Sequence, residues 1–337
     1  MKTLTLVLFA AVITMTAAAQ EPHFGAVKQL TFGGSNAEAY FSPDGSKIVF
    51  QATREGHKCD QIYVMNSDGS GEHMVSTGKG RTTCGYFLPD GKSILYASTH
   101  AASAECPPDP DRSKGYVWPV TASYDIYIAD LSGKIKNAFL SAPGYDAEAT
   151  INWKTKKTIF TSMRDGDLNL YSADLNGGHL TQLTKKLGYD GGAFFSADGK
   201  KMVWRAHYPS DPADEKDYRE KLANELVAPM KMELWIADSD GKNAKQITDY
   251  GCASFAPSFS PDGKKIIFSS NKNKCDTRYF ELFVMNTDGT GVEQVTNGGD
   301  FNSFPMFSPD GKRLVFISNR NAKARYEFNV FVADWKW

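Results

Sequence analysis

Acidic side chains occur in the segments that enter several predicted strands, where they could hold a cation. They are Glu38, Asp146, Glu148, Asp190 and Asp300. Carboxylate oxygens are the ligands that Ca²⁺ prefers, and they also pair with cationic groups of a partner molecule. If the segments that carry them surround one axis, we expect these carboxylates to converge near its mouth. The alternative is that they cap turns or pair with arginines of the same rim. Those arginines are Arg54, Arg81, Arg164 and Arg320.

Three histidines each follow a predicted strand on the same side of the repeated segments: His57, His100 and His207. Imidazoles that converge from several segments bind transition metals, and one imidazole could act as a general base. Two long insertions lie beside His100 and His207 and could wall off a pocket for such chemistry. The alternative is that the histidines stay apart, because separate repeats are distant from each other at a rim.

Aromatic residues in and beside the insertions offer a different kind of binding surface. They are Tyr116, Trp118, Tyr124 and Tyr208. Their rings could stack on a sugar or a peptide, or they could anchor the long insertion to the rest of the fold.

Familiar catalytic motifs are missing from the sequence. It contains no Gly-x-Ser-x-Gly nucleophile elbow, HExxH motif, P-loop or Rossmann fingerprint. The glycines near Gly78 lack the spacing of a Walker loop and are typical of a turn. The net charge of −1 gives no general attraction to nucleic acid or to an acidic membrane.

One motif recurs along the chain, and its clearest copy is Phe-Ser-Pro-Asp-Gly at 259–263. Proline presets φ for a turn, and glycine adopts the positive φ that a Cβ disfavours. Apolar runs such as Ile266–Phe268 follow the turn and are typical of buried strands. Other copies begin at Phe41, Phe87, Phe195 and Phe307, and a sixth at Trp153 has lost Pro-Asp-Gly.

Each repeat contains four strand patterns, which predicts an all-β, six-bladed beta-propeller of four-stranded antiparallel blades over residues 20–337. The last repeat has no fourth-strand pattern before Trp337, whereas Val27–Thr31 has that pattern ahead of the first repeat. We therefore expect the N-terminal strand to complete the last blade and close the ring. Closure removes two sheet edges that would otherwise template aggregation.

The two insertions, 99–122 and 207–231, fall between second and third strands of their repeats. Helical spacing of apolar residues predicts a helix over 214–227 in the second of them. In an up-and-down blade, these connections and the cysteines lie on one face, opposite the tight turns. Because binding usually resides on loops held by a rigid scaffold, the loop-rich face is the predicted binding face.

Residues 1–19 have the pattern of a secretory signal peptide, with Lys2 before a short apolar run and Ala17–Ala19 at the cleavage site. The apolar run is too short to span a bilayer. We expect a periplasmic or secreted, monomeric protein without a membrane span once the signal is removed.

Five cysteines in an exported protein favour disulfides. Matching positions within the repeats predict the pairs Cys252–Cys275 and Cys84–Cys106, with Cys59 as the odd thiol. A Cys59–Cys84 pair is the rival arrangement. A cysteine metal site is a further alternative, although no CxxC spacing occurs.

The motif at 260–268, with Leu282–Asn286 and Gln294–Thr296 after it, resembles the TolB-type propeller repeat, and this likeness recurs along the whole mature chain. The resemblance implies a periplasmic six-bladed propeller that binds partner proteins of the envelope. Similar propellers cap serine peptidases of the prolyl oligopeptidase type, and one branch forms a pectin-fragment lyase. The chain departs from TolB because almost nothing separates the predicted signal from the first strand, so we expect no N-terminal α/β domain.

Three hypotheses for function follow from the sequence. The first is a non-enzymatic scaffold whose loop-rich face binds an envelope protein, a polysaccharide or a peptide. The second is a metal-assisted lyase or hydrolase acting on carbohydrate or peptide through His100, His207 and the channel-mouth carboxylates. Its cofactor would be a divalent metal, either Ca²⁺ or a transition metal. The third is a recognition domain whose hydrolase is encoded separately.

Overall fold

Six four-stranded antiparallel sheets surround a central axis, as the sequence predicts. The computed structural model describes residues 21–54, 56–113 and 115–337. The innermost strand of each blade packs against the innermost strands of its neighbours. The predicted signal peptide lies outside the described residues.

The strands are numbered in chain order. β1 (Phe24–Gln29) comes first, and blade 1 contains β2 (Ser35–Phe41), β3 (Lys47–Thr53), β4 (Gln61–Asn66) and β5 (His73–Met74). Blade 2 contains β6 (Thr82–Phe87), β7 (Ser93–Ser98), β9 (Asp125–Asp130) and β10 (Ile135–Leu140), with β8 (Trp118–Pro119) in its insertion. Blade 3 contains β11 (Asp146–Asn152), β12 (Lys157–Ser162), β13 (Asn169–Asp174) and β14 (Thr181–Gln182).

The second half of the ring repeats this arrangement. Blade 4 contains β15 (Tyr189–Phe195), β16 (Lys201–His207), β18 (Glu233–Asp238) and β19 (Lys245–Gln246), with α1 (Pro212–Leu222) and β17 (Leu226–Val227) in its insertion. Blade 5 contains β20 (Ser254–Phe259), β21 (Lys265–Ser270), β22 (Glu281–Asn286) and β23 (Glu293–Gln294). Blade 6 contains β24 (Asn302–Phe307), β25 (Arg313–Ser318) and β26 (Asn329–Trp335).

The N-terminal strand closes the ring, as predicted. β1 pairs antiparallel with β26, and Val27 lies opposite Ala333. Phe24 is 5% exposed and stacks on Phe316 at a centroid distance of 5.3 Å. Strand pairing and apolar burial therefore join the two ends of the chain in one blade.

The recurring Ser-Pro-Asp-Gly turn is stabilised by its own side chains. The Ser42 hydroxyl donates to Asp44 at 2.6 Å, and the Ser46 amide donates to the same carboxylate at 3.0 Å. These bonds lower the pKa of Asp44 to about 2. Gly45 has a φ of 70°, which glycine tolerates better than other residues.

An aromatic pair spans the second and third strands of every blade. In blade 1, Phe50 stands opposite Tyr63 with ring centroids 5.8 Å apart. The other pairs are Tyr96–Tyr127, Phe160–Tyr171, Trp204–Trp235, Phe268–Phe283 and Phe316–Phe331. Such cross-strand pairs stabilise a sheet beyond simple burial of area.

Each innermost strand is interrupted by a β-bulge at the same position. In β2 the register shifts between Ala37 and Tyr40, and Glu38 between them has a φ of 50°. The other inner strands repeat both the shift and the left-handed residue. The six residues are Glu38, Cys84, Glu148, Gly192, Ala256 and Phe304. A bulge turns its extra residue out of the ladder, and here it directs six positions toward the axis.

The predicted helix in the blade 4 insertion is real but shorter than 214–227. It begins at Pro212, where Asp211 accepts hydrogen bonds from Ala213 and Asp214 as the N-cap, and it ends at Leu222. Glu225 has a φ of 57°, so the backbone leaves the helical region there. Leu226 and Val227 then pair as a strand with β8. Within the described residues, no helix is long and apolar enough to cross a membrane.

One of the two predicted disulfides is present and the other is not. Cys252–Cys275 forms as predicted, but the second disulfide is Cys59–Cys106, so both Cys84–Cys106 and the rival Cys59–Cys84 are wrong. Cys84 is the free and buried thiol. The bulge in β6 directs Cys84 into the channel, whereas Cys59 and Cys106 lie in neighbouring loops of the rim. The loop-rich face therefore holds four of the five cysteines.

Replacing both Cys59 and Cys106 with serine should release the blade 2 insertion. The disulfide closes a loop with a sequence separation of 47, so its loss should lower the free energy of unfolding by up to about 4 kcal/mol. We expect trypsin to cleave after Arg112 faster in this variant, as measured by limited proteolysis and mass spectrometry. Cys84→Ser is the matched control and should leave that cleavage rate unchanged. Equal cleavage in all three proteins would show that the disulfide does not hold the insertion.

Candidate functional site

The six bulge residues line a small cavity at the centre of the ring, and Arg205 from β16 completes its wall. The cavity has a volume of about 20 Å³, which is room for roughly one water molecule. Two carboxylates, one thiol and one guanidinium face it. The predicted convergence of acidic side chains therefore holds for Glu38 and Glu148.

Glu148 is held by a buried ion pair and by two tyrosines. Arg205 donates to its Oε2 at 2.7 Å, and the two side chains are 11% and 8% exposed. Tyr189 donates to Oε1 at 2.7 Å, and Tyr145 donates to the same oxygen at 3.1 Å. Burial lowers the pKa of Arg205, but Glu148, Tyr189 and Glu38 outweigh it and raise that pKa above its ordinary value. Arg205 therefore remains charged.

Gly192 provides the space for the Arg205 guanidinium. A Cβ at position 192 would lie 2.0 Å from Nη1 of Arg205. Gly192 also has a φ of 57°. The arginine of blade 4 thus occupies the place that a bulge side chain takes in the other blades.

The carboxyl group of Glu38 has fewer hydrogen-bond donors around it than that of Glu148. Burial raises the pKa of Glu38 to about 7, against the attraction of Arg205 and a hydrogen bond from the Cys84 thiol. Burial and the two nearby carboxylates also raise the pKa of Cys84 well above its ordinary value, so the thiol stays protonated. The Cys84 amide is fixed by Oε1 of Gln51 at 3.0 Å.

Aromatic rings close the cavity on the side of the tight turns. Tyr40, Tyr86 and Phe194 come two residues after their bulges. Their ring centroids are 5.5 to 6.0 Å apart across blades 1, 2 and 4. Tyr40 and Phe194 line the cavity directly. These rings therefore form one wall of the cavity.

A segment of the blade 2 insertion crosses the loop-rich face, and we call residues 115–119 the strap. Trp118 lies 5.1 Å from the Arg205 guanidinium and contacts Phe255 of blade 5 edge-on at 6.2 Å. Tyr116 lies 4.3 Å from the guanidinium of Arg278, which follows β21 in blade 5. β8 pairs with β17, so the insertions of blades 2 and 4 support each other. The strap therefore reaches across the mouth of the channel.

Several predicted rim residues stabilise the blades instead of meeting at one site. Arg54 lies over Phe50 and Tyr63 at 5.5 and 4.9 Å, and it pairs with Glu72 at 2.9 Å. Arg164, His100 and Arg320 stack on the aromatic pairs of blades 3, 2 and 6 in the same way. Each comes four residues after the aromatic residue of its second strand. This shared position indicates a structural role for them within the repeat.

The remaining predicted acids also stay apart from the cavity cluster. Asp146 accepts from Arg164 at 2.9 Å, which is the rim pairing that the sequence offered as the alternative. Asp190 is fully buried and accepts from Trp204 Nε1 at 2.7 Å and from the Tyr208 hydroxyl at 2.5 Å. Burial raises its pKa to about 7. Asp300 lies in an exposed loop, and Arg81 pairs with Asp109 at 3.2 Å.

The histidines do not gather into a metal site in the described part of the chain. His100 contacts the Ser98 hydroxyl at 2.8 Å, and His207 contacts Asp214 at 3.3 Å in another blade. No group of three or more His, Cys, Asp or Glu side chains within the described residues has an arrangement that could hold a metal ion. The predicted aromatics Trp118 and Tyr124 anchor the insertion, since Tyr124 packs edge-on against Tyr145 at 5.7 Å.

Sequence reasoning missed Arg205, which organises the cavity. The sequence contains a signal for it, since Arg205 is the one charged residue at this position of the six second strands. The equivalent positions hold Gln51, Ala97, Thr161, Ser269 and Ile317. A charged residue in a buried strand requires a partner. It also occurs in the repeat whose bulge residue is glycine, and that coincidence indicates an arginine directed into the channel.

Comparison with known sequences agrees with the repeat. Residues 219–332 match the family model of the TolB beta propeller domain. A dipeptidyl-peptidase 5 from Porphyromonas endodontalis is 26% identical over 207 residues, which is 50% of this chain and 30% of that protein. An uncharacterized protein of Agrobacterium fabrum is 25% identical over 34% of this chain and 32% of its own length. The matched regions thus span about a third of these relatives. The chain is a six-bladed propeller, and residues 219–332 of it match the TolB-type model.

Solved structures of low sequence identity share the fold. A putative TolB from Agrobacterium tumefaciens has a TM-score of 0.55 and 19% identity, covering 90% of this chain and 91% of that one. TolB from Acinetobacter baumannii has a TM-score of 0.56 and 18% identity, with 90% and 65% covered. An oligogalacturonate lyase in complex with manganese has a TM-score of 0.51 and 14% identity, with 94% and 95% covered. These likenesses concern architecture alone, because one fold hosts many unrelated functions.

Proposed function

We propose that this protein is an exported, non-enzymatic binding module, periplasmic or secreted, whose loop-rich face engages a partner protein or a polymer. The observation that carries the proposal is the strap, which is fixed across the channel mouth by strand pairing with a second insertion. A TolB-like propeller favours a scaffold or binding role. The two disulfides suit a compartment outside the reducing cytosol.

The strap and its neighbours present exposed cations and tyrosines to solvent. Tyr116 is 37% exposed and has the guanidinium groups of Arg112 and Arg278 at 5.8 and 4.3 Å from its ring. In the same blade 5 loop, Lys274 lies 3.8 Å from the ring of Tyr279. Arginine and tyrosine are the residues most often found at energetic centres of protein interfaces. We call this group the platform: Arg112, Tyr116, Lys274, Arg278 and Tyr279.

Charge reversal on the platform should abolish partner capture. We expect Arg112→Glu with Arg278→Glu to lose at least about 90% of the partner recovered by affinity purification from an envelope extract, because each change replaces an attractive charge with a repulsive one. Lys264→Glu with Lys312→Glu is the matched control. It makes the same change of net charge on exposed residues of the tight-turn face. Recovery of the same partners by both double variants, or of none by the wild type, would contradict the proposal.

A second candidate function is a lyase or hydrolase acting at the central cavity. It is favoured by two carboxyl groups in different environments at one cavity, since such a pair can divide acid and base roles. Burial raises the pKa of Glu38 to about 7, whereas Glu148 is paired with Arg205. Because an oligogalacturonate lyase has a similar fold, an oligogalacturonate is the substrate to test. Against it, the cavity beneath the strap has no room for a sugar ring. Unsaturated product from oligogalacturonate that appears with wild type and disappears with Glu38→Gln would favour this enzyme.

A further inference from the structure

We propose that the central cavity is a binding site for a single ammonium group, with Glu38 as its counter-ion. The ligand is a primary amine, supplied either by a free small molecule or by the lysine side chain of a protein partner. This site is distinct from the platform, and its test requires no partner.

The two cavity carboxylates differ in how they are compensated. Glu148 receives hydrogen bonds from Arg205, Tyr189 and Tyr145. Arg205 attracts Glu38 but donates its hydrogen bonds to Glu148 and Tyr189. The side-chain hydrogen bond that lowers the pKa of Glu38 comes from the neutral Cys84 thiol. The cavity therefore has one carboxylate more than it has cations, and a bound monocation would neutralise it.

The size and the walls of the cavity select an ammonium group. A volume of about 20 Å³ accommodates roughly one water-sized group, and an ammonium is of that size. Tyr40 and Phe194 line the same space, and aromatic faces attract ammonium cations. A carboxylate beside aromatic rings is thus a complete site for R–NH₃⁺. A divalent ion would lack a set of three ligands here, because Arg205 occupies Glu148.

Proton competition gives the site a characteristic pH dependence. Glu38 faces Arg205 from β16, Cys84 from β6, Glu148 from β11, Tyr40 on its own strand and Asp60 before β4. Its pKa is raised to about 7, chiefly by burial. The carboxylate form binds the amine and the protonated form does not. Affinity should therefore be nearly constant between about pH 8 and pH 9 and fall toward about tenfold per pH unit well below pH 7.

The test is calorimetric titration of the purified mature protein with n-butylammonium chloride at pH 8 and constant ionic strength. We expect saturable binding that Glu38→Gln weakens at least about tenfold, because the isosteric amide removes the charge. Glu105→Gln removes an exposed charge from the blade 2 insertion and should leave the affinity unchanged. Thermal unfolding of the wild type with and without butylammonium tests the same carboxylate without a substitution, which covers the case in which the Glu38 variant does not fold: the melting temperature should rise at about pH 8 and not at about pH 5.

A comparison of several ligands distinguishes a free amine from a protein lysine side chain as the natural ligand. Butyltrimethylammonium has the same charge but a larger head, so it should bind far more weakly. Tighter binding of Nα-acetyl-lysine amide, which keeps a free side-chain ammonium, than of butylammonium assigns the site to a protein side chain. Equal binding of the two assigns it to free amines. Absence of saturable binding by folded wild type, or equal affinity in Glu38→Gln, overturns the inference. Neither result affects capture of a partner by the platform, so the two proposals fail separately.

Discussion

Deletion of residues 24–31 should leave a protein that unfolds or associates instead of a stable monomer. The deletion removes β1 from β26 and exposes a full strand edge, which is a template for pairing with another chain. It also removes the bond from the Leu30 amide to the Val330 carbonyl at 2.8 Å and uncovers the ring of Phe316. Light scattering on size exclusion and thermal unfolding would measure the result.

A single substitution tests the same closure without shortening the chain. Phe24→Ala should lower the free energy of unfolding by about 3–5 kcal/mol, because it leaves a cavity beside Phe316 and Trp335. Phe32→Ala is the matched control, since Phe32 is 80% exposed and its loss should change little. A truncated protein that remains monomeric with an unchanged melting temperature would show that β1 does not close the ring.

Arg205→Met should be the most damaging substitution in the central cavity. It leaves Glu148 buried without its cation, and breaking one side of a buried ion pair costs about 3–5 kcal/mol. Arg54→Met makes the same change in the pair with Glu72, whose side chains are 25% and 29% exposed, and should cost about 1 kcal/mol or less. Denaturant unfolding at pH 8 gives the comparison directly.

The double variant Arg205→Met with Glu148→Gln identifies the cause. Removing both charges together should recover much of the stability, because no unpaired ion remains buried. A double variant as unstable as the sum of the single variants would show that Arg205 acts through packing against Trp118 and Tyr189 instead of through charge.

The ring could be predicted from the sequence because its determinants repeat. Phe-Ser-Pro-Asp-Gly marks the same turn in most blades, and the strand pattern at Val27–Thr31 supplies the strand that blade 6 lacks. Glu38 and Glu148 were also predicted, since both lie in segments that enter the first strands of their repeats. The partners of these carboxylates are not local. Arg205 lies in a different blade from Glu148, and its direction depends on the missing side chain of Gly192.

Two of the wrong predictions have the same physical origin: one residue with a left-handed backbone conformation. Cys84 was assigned to the rim, but a bulge with a φ of 55° directs it to the axis. The helix was extended to 227, but the left-handed Glu225 ends the helical path and allows Leu226 to pair with Pro119. A pattern of residue types predicts strands and helices, whereas one positive φ redirects a side chain or a segment.

The most direct test of the proposed function is site-specific photo-crosslinking in intact cells that produce the full chain. Tyr116→p-benzoylphenylalanine places the reactive group on the platform, and Lys264→p-benzoylphenylalanine places it on the tight-turn face. The account predicts a light-dependent adduct with a discrete partner from position 116 and none from position 264. An adduct of equal yield from both positions, or no adduct from position 116, would contradict a binding module that works through its loop-rich face.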